Sequence, residues 1–275
     1  MERITSKESR MLKLAQSLQK KKYRTIHASY LAEGLRAVND MISTGLVSQI
    51  FINEIASPEV QAVAETAATL GIAVYEVKSD LFHLVENTVH GQGIIAIVKK
   101  SPLDFNAFLA SEREALHKGV SLAPIYVVLD EVQDPGNLGT IIRTAVAAGV
   151  KAIFLTKGSV DPYNEKTVRS TMSAITKIPI FESIAIDQVE ELKASLGVTI
   201  YGTALEEASS IYNTSYAMPA VLMLGNEGRG ISPQWMALAD KKITIPMYGP
   251  IESLNLSVAA ALCFYAIREC DKNEV

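Results

Sequence analysis

The sequence predicts an α/β protein built in two parts, and three observations carry that prediction. Short continuous apolar runs alternate with amphipathic stretches, the pattern of buried parallel strands covered by helices. The alternation breaks at Ser101-Pro102 and restarts more strongly near Tyr126. The 275 residues are 48% apolar and 20% charged, enough apolar side chain for a real core and too much for a disordered chain. Domains are expected over 1–102 and 123–275, joined by a connecting helix and linker over 103–122.

Met11, Leu14, Ala15 and Leu18 recur at helical spacing, so the chain opens on an amphipathic helix that ends in the cluster Lys20, Lys21, Lys22 and Arg24. Up to residue 30 only Glu2 and Glu8 oppose eight basic side chains. Such a run is either a solvated helix end, where cations suit the dipole, or a surface for nucleic acid. Next come a helix over 31–42, a strand over 49–52, and a helix over 58–70 with Pro58 in its first turn and Gly71 as its stop. A strand over 74–77, a helix over 78–84 and a buried strand over 94–98 complete the first part, and 103–117 reads as the connecting helix.

In the second part strands are expected over 126–129, 152–155, 178–181, 198–201, 220–224 and 242–245. Helices are expected over 138–148, 164–172, 188–196 and 256–269. The last of these reads as core, with Val258, Leu262, Phe264 and Tyr265 continuing one apolar face.

Composition removes several function classes. Two cysteines, Cys263 and Cys270, make neither a disulfide framework nor a zinc cluster, and no metal site is expected. The first 24 residues lack the apolar core of an export signal, so the expected location is the cytoplasm. The longest apolar run, 258–267, is far short of the roughly 20 residues that span a bilayer. All four histidines precede the second part, which disfavours a histidine-based triad there. The net charge of −4 argues against nucleic acid only as an average, because contact depends on where the cations sit.

Ligands of parallel sheets bind outside the carboxyl ends of strands, and three loops there are polar and glycine-rich. They are 130–139, followed by Arg143 on the next helix, then 225–230 and 246–255. Each also has a plain structural reading: Asp-Pro-Gly-Asn is a turn, Asn137 could cap a helix, Gly-Asn-Glu-Gly could be a tight turn, and Ser253 or Asn255 could cap the last helix. None matches a dinucleotide fingerprint, a Walker loop or a nucleophile elbow.

DPGNLGTIIRTAVAAGV, LGNEGRGIS and IPMYGPIESLNLSVAAAL, in that order within 126–270, resemble the three motifs of the SpoU (TrmH-type) RNA 2′-O-methyltransferases of the SPOUT class. IHASYLAEGLRAVNDMI, with HGQGIIAIV later, is similar to that family's smaller RNA-binding domain, which resembles a ribosomal protein. A T-x-x-P-Q-G-like stretch reads Thr88-Val89-His90-Gly91-Gln92-Gly93, without the proline. The resemblance implies a C-terminal trefoil knot, a homodimer, and S-adenosyl-L-methionine as methyl donor. It implies cofactor contacts, largely through backbone, at Gly225, Ile245, Met247 and Leu254, with Asn226, Gly228 and Gly230 shaping the pocket and Thr203 at the adenine wall. It implies catalytic roles for Arg143, Asn137, Glu227, Ser253 and Asn255, with Glu227 pairing with or orienting Arg143. Guanidinium is never deprotonated in proteins, so Arg143 is expected to stabilise a developing alkoxide rather than to take a proton. Lys20, Lys21, Lys22 and Arg24 are expected to contact RNA, ribosomal in preference to transfer RNA. The alternatives are a transfer-RNA enzyme, an RNA-binding paralogue without catalysis, and a methyltransferase of small molecules.

Overall fold

The computed structural model describes residues 1–88, 91–119 and 122–272. Val89 and His90 of the 88–93 stretch, and the 120–121 part of the linker, lie outside the described residues. Two compact units form: Met1–Pro102 with Asp161–Thr176, and Leu103–Val160 with Lys177–Val275.

The first unit runs β1 (Glu2–Ile4), α1 (Arg10–Ser17), α2 (Lys21–Ile26), β2 (Ser29–Glu33), α3 (Leu35–Ile42), β3 (Val47–Asn53), α4 (Pro58–Thr69), β4 (Ala73–Val77), α5 (Ser79–Phe82) and β5 (Ile94–Lys99). Its five-stranded sheet has the order β1-β4-β3-β5-β2, parallel around β4 and antiparallel around β5. Of the expected face, Ala15 and Leu18 are buried against Phe51, Phe82, Ile95 and Ile97, whereas Met11 and Leu14 are only partly buried and Leu12, outside the expected set, completes the buried stripe. Two expectations fail. The opening helix does not run into the basic cluster: Lys20 is extended, and α2 starts anew after it. The helix expected over 31–42 begins with a strand, because Tyr30, Leu31 and Ala32 are buried beside β5 and Gly34, at φ +104°, separates β2 from α3.

The second unit contributes α6 (Phe105–Lys118), β6 (Ile125–Leu129), α7 (Pro135–Ala147) and β7 (Ala152–Thr156). α8 (Glu165–Thr171) belongs to the first unit, where the nearby Tyr163 ring lies 5.0 Å from that of Tyr30. The second unit continues with β8 (Ile180–Ile184), α9 (Ile186–Leu196), β9 (Thr199–Thr203), β10 (Ser209–Ser210), β11 (Ala220–Leu224), α10 (Pro233–Met236), β12 (Lys241–Thr244) and α11 (Leu256–Lys272). Its seven strands are all parallel, in the order β10-β12-β9-β11-β6-β7-β8. Every residue of β6, β7 and β11 is buried, the state that continuous apolar runs predict. From β6 the chain winds outward through β7 and β8, then continues in β9 on the far side of β11. The carboxyl ends of neighbouring β6 and β11 therefore form a topological switch point.

α11 is core on one face only. Ala260, Cys263, Phe264 and Ile267 are buried, but Val258 is 48% and Tyr265 50% exposed, so the expected all-core face is corrected. Burial pushes the Cys263 thiol up to about 12, which keeps it protonated and unreactive at neutral pH. Among the described residues no helix is long and apolar enough to cross a membrane.

Candidate functional site

The loops leaving β6 and β11 start side by side because Leu129 and Leu224 are register partners. Asp130, 2% exposed, fixes their first residues. Its N–H donates to the Leu224 carbonyl (2.8 Å), its Oδ1 accepts from Thr156 Oγ1 (3.0 Å), and its Oδ2 accepts from the Ser232 N–H (2.8 Å). One carboxylate thus ties the ends of β6 and β7 to the chain beyond β11. Four residues on, Asp134 caps α7, its Oδ1 accepting from the Asn137 N–H at 2.8 Å with Pro135 in the first turn. The cap is Asp134 and not Asn137, which leaves the Asn137 amide free for other work.

The second loop closes on itself. Asn226 and Gly230 exchange backbone hydrogen bonds of 3.0 and 2.9 Å. Asn226 Oδ1 accepts from the N–H groups of Gly228 and Arg229, and its Nδ2 donates to the Glu131 carbonyl. A Cβ at Gly225 would lie 2.0 Å from the Gly230 carbonyl carbon, and Gly230 has φ +69°. Close approach is what these two glycines permit, but the chain approaches itself. Both the backbone and the side chain of Asn226 hold this turn in shape. Gly228 is exposed at the tip.

A hydrogen-bond chain joins all three loops. Glu227 Oε1 accepts from Asn137 Nδ2 (3.1 Å) and the Asp134 N–H (3.2 Å), and Oε2 accepts from the Gln133 N–H (3.2 Å). Asn137 Oδ1 accepts from Asn255 Nδ2 at 2.8 Å, and Asn255 Oδ1 accepts from the N–H and Oγ of Ser257. Asn255 therefore caps α11 and reaches the first loop at once. Burial pushes the Glu227 carboxyl up, but the N–H donors around it, with the Asn137 amide, outweigh that and hold it below the ordinary glutamate value.

The expected Glu227–Arg143 pair does not form; the donors that Glu227 accepts from are Asn137 and the backbone N–H groups of Gln133 and Asp134 at the head of α7. Arg143 is exposed and, among the described residues, makes no hydrogen bond or ion pair. Ser253 is exposed and stands outside the chain of bonds. Thr203, at the end of β9, is flanked by the ends of β11 and β12, and its hydroxyl donates to the Met223 carbonyl at 3.3 Å. Ile245, Met247 and Leu254 are half-buried along the third loop. Among the described residues their backbone N–H groups meet no protein acceptor. Half-buried donors of that kind require water or a ligand, and a backbone-recognised cofactor suits them.

Residues 124–265 match the sequence profile of the SpoU rRNA Methylase family. The chain belongs to that family. Residues 10–96 match the MRM3-like substrate binding domain. The 23S rRNA (guanosine(2553)-2′-O)-methyltransferase RlmP of Bacillus subtilis is 35% identical over 98% of this chain and 100% of its own length. An AdoMet-bound rRNA methyltransferase from Sinorhizobium meliloti is 30% identical, with a TM-score of 0.82 over 98% of this chain and 97% of that one. The SpoU methyltransferase AviRb from Streptomyces viridochromogenes, at 23% identity, shares the fold, with a TM-score of 0.81 over 95% of this chain and 98% of its own.

In this SpoU family chain the first unit corrects one expectation. Lys20, Lys21 and Lys22 are exposed, but Arg24 is buried. Its Nε and Nη2 donate to Asp161 Oδ2 (3.0 and 2.7 Å), and its Nη1 donates to the carbonyls of Leu18 (2.9 Å) and Gln19 (2.8 Å). Asp130 and Asp161 escaped the sequence reading because each is an acidic residue in a turn-like stretch, the commonest place for a solvated carboxylate. A usable signal was the apolar run immediately before Asp130, which delivers its side chain to a buried strand end.

Proposed function

We propose that this chain transfers a methyl group from S-adenosylmethionine to a ribose 2′-hydroxyl of RNA, ribosomal RNA in preference to transfer RNA. The carrying observation is the bond chain Glu227–Asn137–Asn255, which binds the three motif loops into one polar wall. The name of the Bacillus subtilis relative favours ribosomal RNA. We assign RNA binding to 1–102, catalysis to 123–275 and connection to 103–122, with support from the two profile matches.

Bound cofactor supplies an electrophilic methyl on a sulfonium. The backbone donors of Ile245, Met247 and Leu254 hold it, beside Gly225, Gly228 and Gly230 and with Thr203 at the strand end. Asn137, held by Glu227 on one side and Asn255 on the other, presents a fixed amide to the target nucleotide, and Ser253 adds a hydroxyl. The unpaired guanidinium of Arg143 orients the ribose or a neighbouring phosphate and stabilises the alkoxide that develops as the hydroxyl attacks. Holding both reactants in line supplies acceleration: the ribose O–CH3 bond forms as the sulfonium S–CH3 bond breaks, and the 2′-hydroxyl proton passes to a substrate phosphate oxygen or to water.

We further read the chain as a cytoplasmic homodimer with a trefoil knot in its second unit. Exposed Val258 and Tyr265 on α11, with Tyr248 and Ile251 on the third loop, give the dimer an apolar surface. Radiolabelled methyl transfer to total RNA from cells lacking the protein, followed by size fractionation and nuclease mapping, tests the function. Label at a ribose of ribosomal RNA is expected. Label confined to transfer RNA overturns the preference, and absence of label from a cofactor-binding protein overturns the activity.

A further inference from the structure

The first unit carries a surface that the methyl-transfer chemistry leaves unused. α2 is six residues long, too short to persist by its own hydrogen bonds. Four donor contacts of Arg24 fix it from behind, to Asp161 and to the carbonyls of Leu18 and Gln19 just past the end of α1. What α2 turns outward is cationic and aromatic. Lys20, Lys21, Lys22 and His27 are exposed, Tyr23 is half-buried, and no carboxylate occurs in the sequence between Glu8 and Glu33. Tyr23 and His27 stand one helical turn apart with ring centroids 6.5 Å from each other and planes 18° from parallel. Lys22 Nζ lies 5.9 Å from the Tyr23 ring centre.

We propose that this face of α2 is a stacking platform for an unpaired RNA base: the rings of Tyr23 and His27 take the base, and Lys21 and Lys22 take its flanking phosphates. The proposal rests on the RNA reading above and gives it a contact point. Protein readers of RNA target unpaired bases that can be splayed onto aromatic faces, while phosphate contacts set position and salt dependence. Parallel rings among lysines suit that division of labour, whereas an acidic peptide would need only the charges. Arg24 is a positioning residue for the platform and touches no RNA.

The test uses the full chain and two probes, a 23S ribosomal RNA transcript and a fluorescein-labelled unpaired oligouridine of about 12 nucleotides, within the range of single-strand site sizes. Affinity is measured across a salt series, with cofactor calorimetry on every variant to verify the second unit. Replacing both rings, Tyr23→Leu with His27→Leu, is expected to weaken binding about tenfold while leaving the salt slope unchanged. Tyr23→Phe with His27→Phe is expected to retain affinity, because stacking needs only the rings; a loss equal to that of the leucine variants would assign the effect to hydrogen bonding by the hydroxyl and imidazole and overturn the platform. Lys21→Gln with Lys22→Gln is expected to flatten the log–log salt dependence by about 1.4, at about 0.7 per lost phosphate contact. Leucine variants within twofold of the parent overturn the platform, as does a loss confined to the lysine variants with equal competition by polyglutamate. A parent that binds both probes through the rings but transfers no methyl keeps the platform and sinks the methyltransferase reading instead.

Discussion

Arg24 at the start of the first unit and Arg143 on α7 of the second are two arginines whose roles invert on folding. The sequence places Arg24 in a basic run, where it reads as solvent-facing, and the family resemblance implies Glu227 as a partner or positioning group for Arg143. In the fold Arg24 is 5% exposed and makes four hydrogen bonds within its own unit, while Arg143 is exposed and makes none among the described residues. The difference teaches that an arginine serves a ligand only to the extent that the protein leaves its donors unspent. A guanidinium already saturated by a buried carboxylate and two carbonyls is a structural bolt.

Breaking the comparison from the Arg24 side should give the largest effect. Arg24→Met leaves Asp161, whose side chain is 8% exposed, charged and without its cation, and should cost about 3–5 kcal/mol in denaturant unfolding. Adding Asp161→Leu should recover much of that loss, because a buried pair often exchanges neutrally for apolar side chains. Arg143→Ala should do the reverse: an unchanged melting temperature and cofactor affinity, with methyl transfer lowered about 10²–10³-fold, as for removal of one transition-state donor. Wild-type turnover in that variant would remove Arg143 from catalysis.

The carboxylate that Arg143 was expected to share gives a smaller, pH-dependent effect. The Glu227 value is lowered by folding, so its ionised form contributes stability above the ordinary glutamate range of about 4.3 and loses it as pH falls through the lowered value. The melting temperature of Glu227→Gln should lie below the parent by a constant amount at neutral pH. That gap should close on acidification below about pH 4. The smallest effect belongs to Arg229, whose 2.8 Å pair with Glu131 is exposed on both sides. Arg229→Ala should change stability by less than about 1 kcal/mol.

Legibility in the sequence followed burial. β6 and β11 were readable because each is a continuous apolar run buried at every position. β2 was not, because its apolar residues join those of α3 at helical spacing and only the backbone of Gly34 divides them. β1, β10 and α10 are too short to display a period. At the site, the order of the three loops was legible and their wiring was not. Asn137 and Asp134 are equally good caps on paper; the choice of Asp134 follows from Pro135 starting the helix directly after it. Glu227 takes its hydrogen bonds from the amides at the head of α7 and from Asn137, and makes none with the Arg143 guanidinium.

The two walls proposed for the cofactor differ in how finished they are. The Gly225–Gly230 turn is already closed by its own main chain, so amide exchange at Asn226 and Gly230 should be slow in the free protein and barely altered by ligand. The amides of Ile245, Met247 and Leu254 have no protein acceptor among the described residues and should exchange fast until something arrives to accept them. A ligand meeting this pair of walls finds one already rigid and orders the other on arrival, so the entropy of binding is concentrated in the few residues that precede α11.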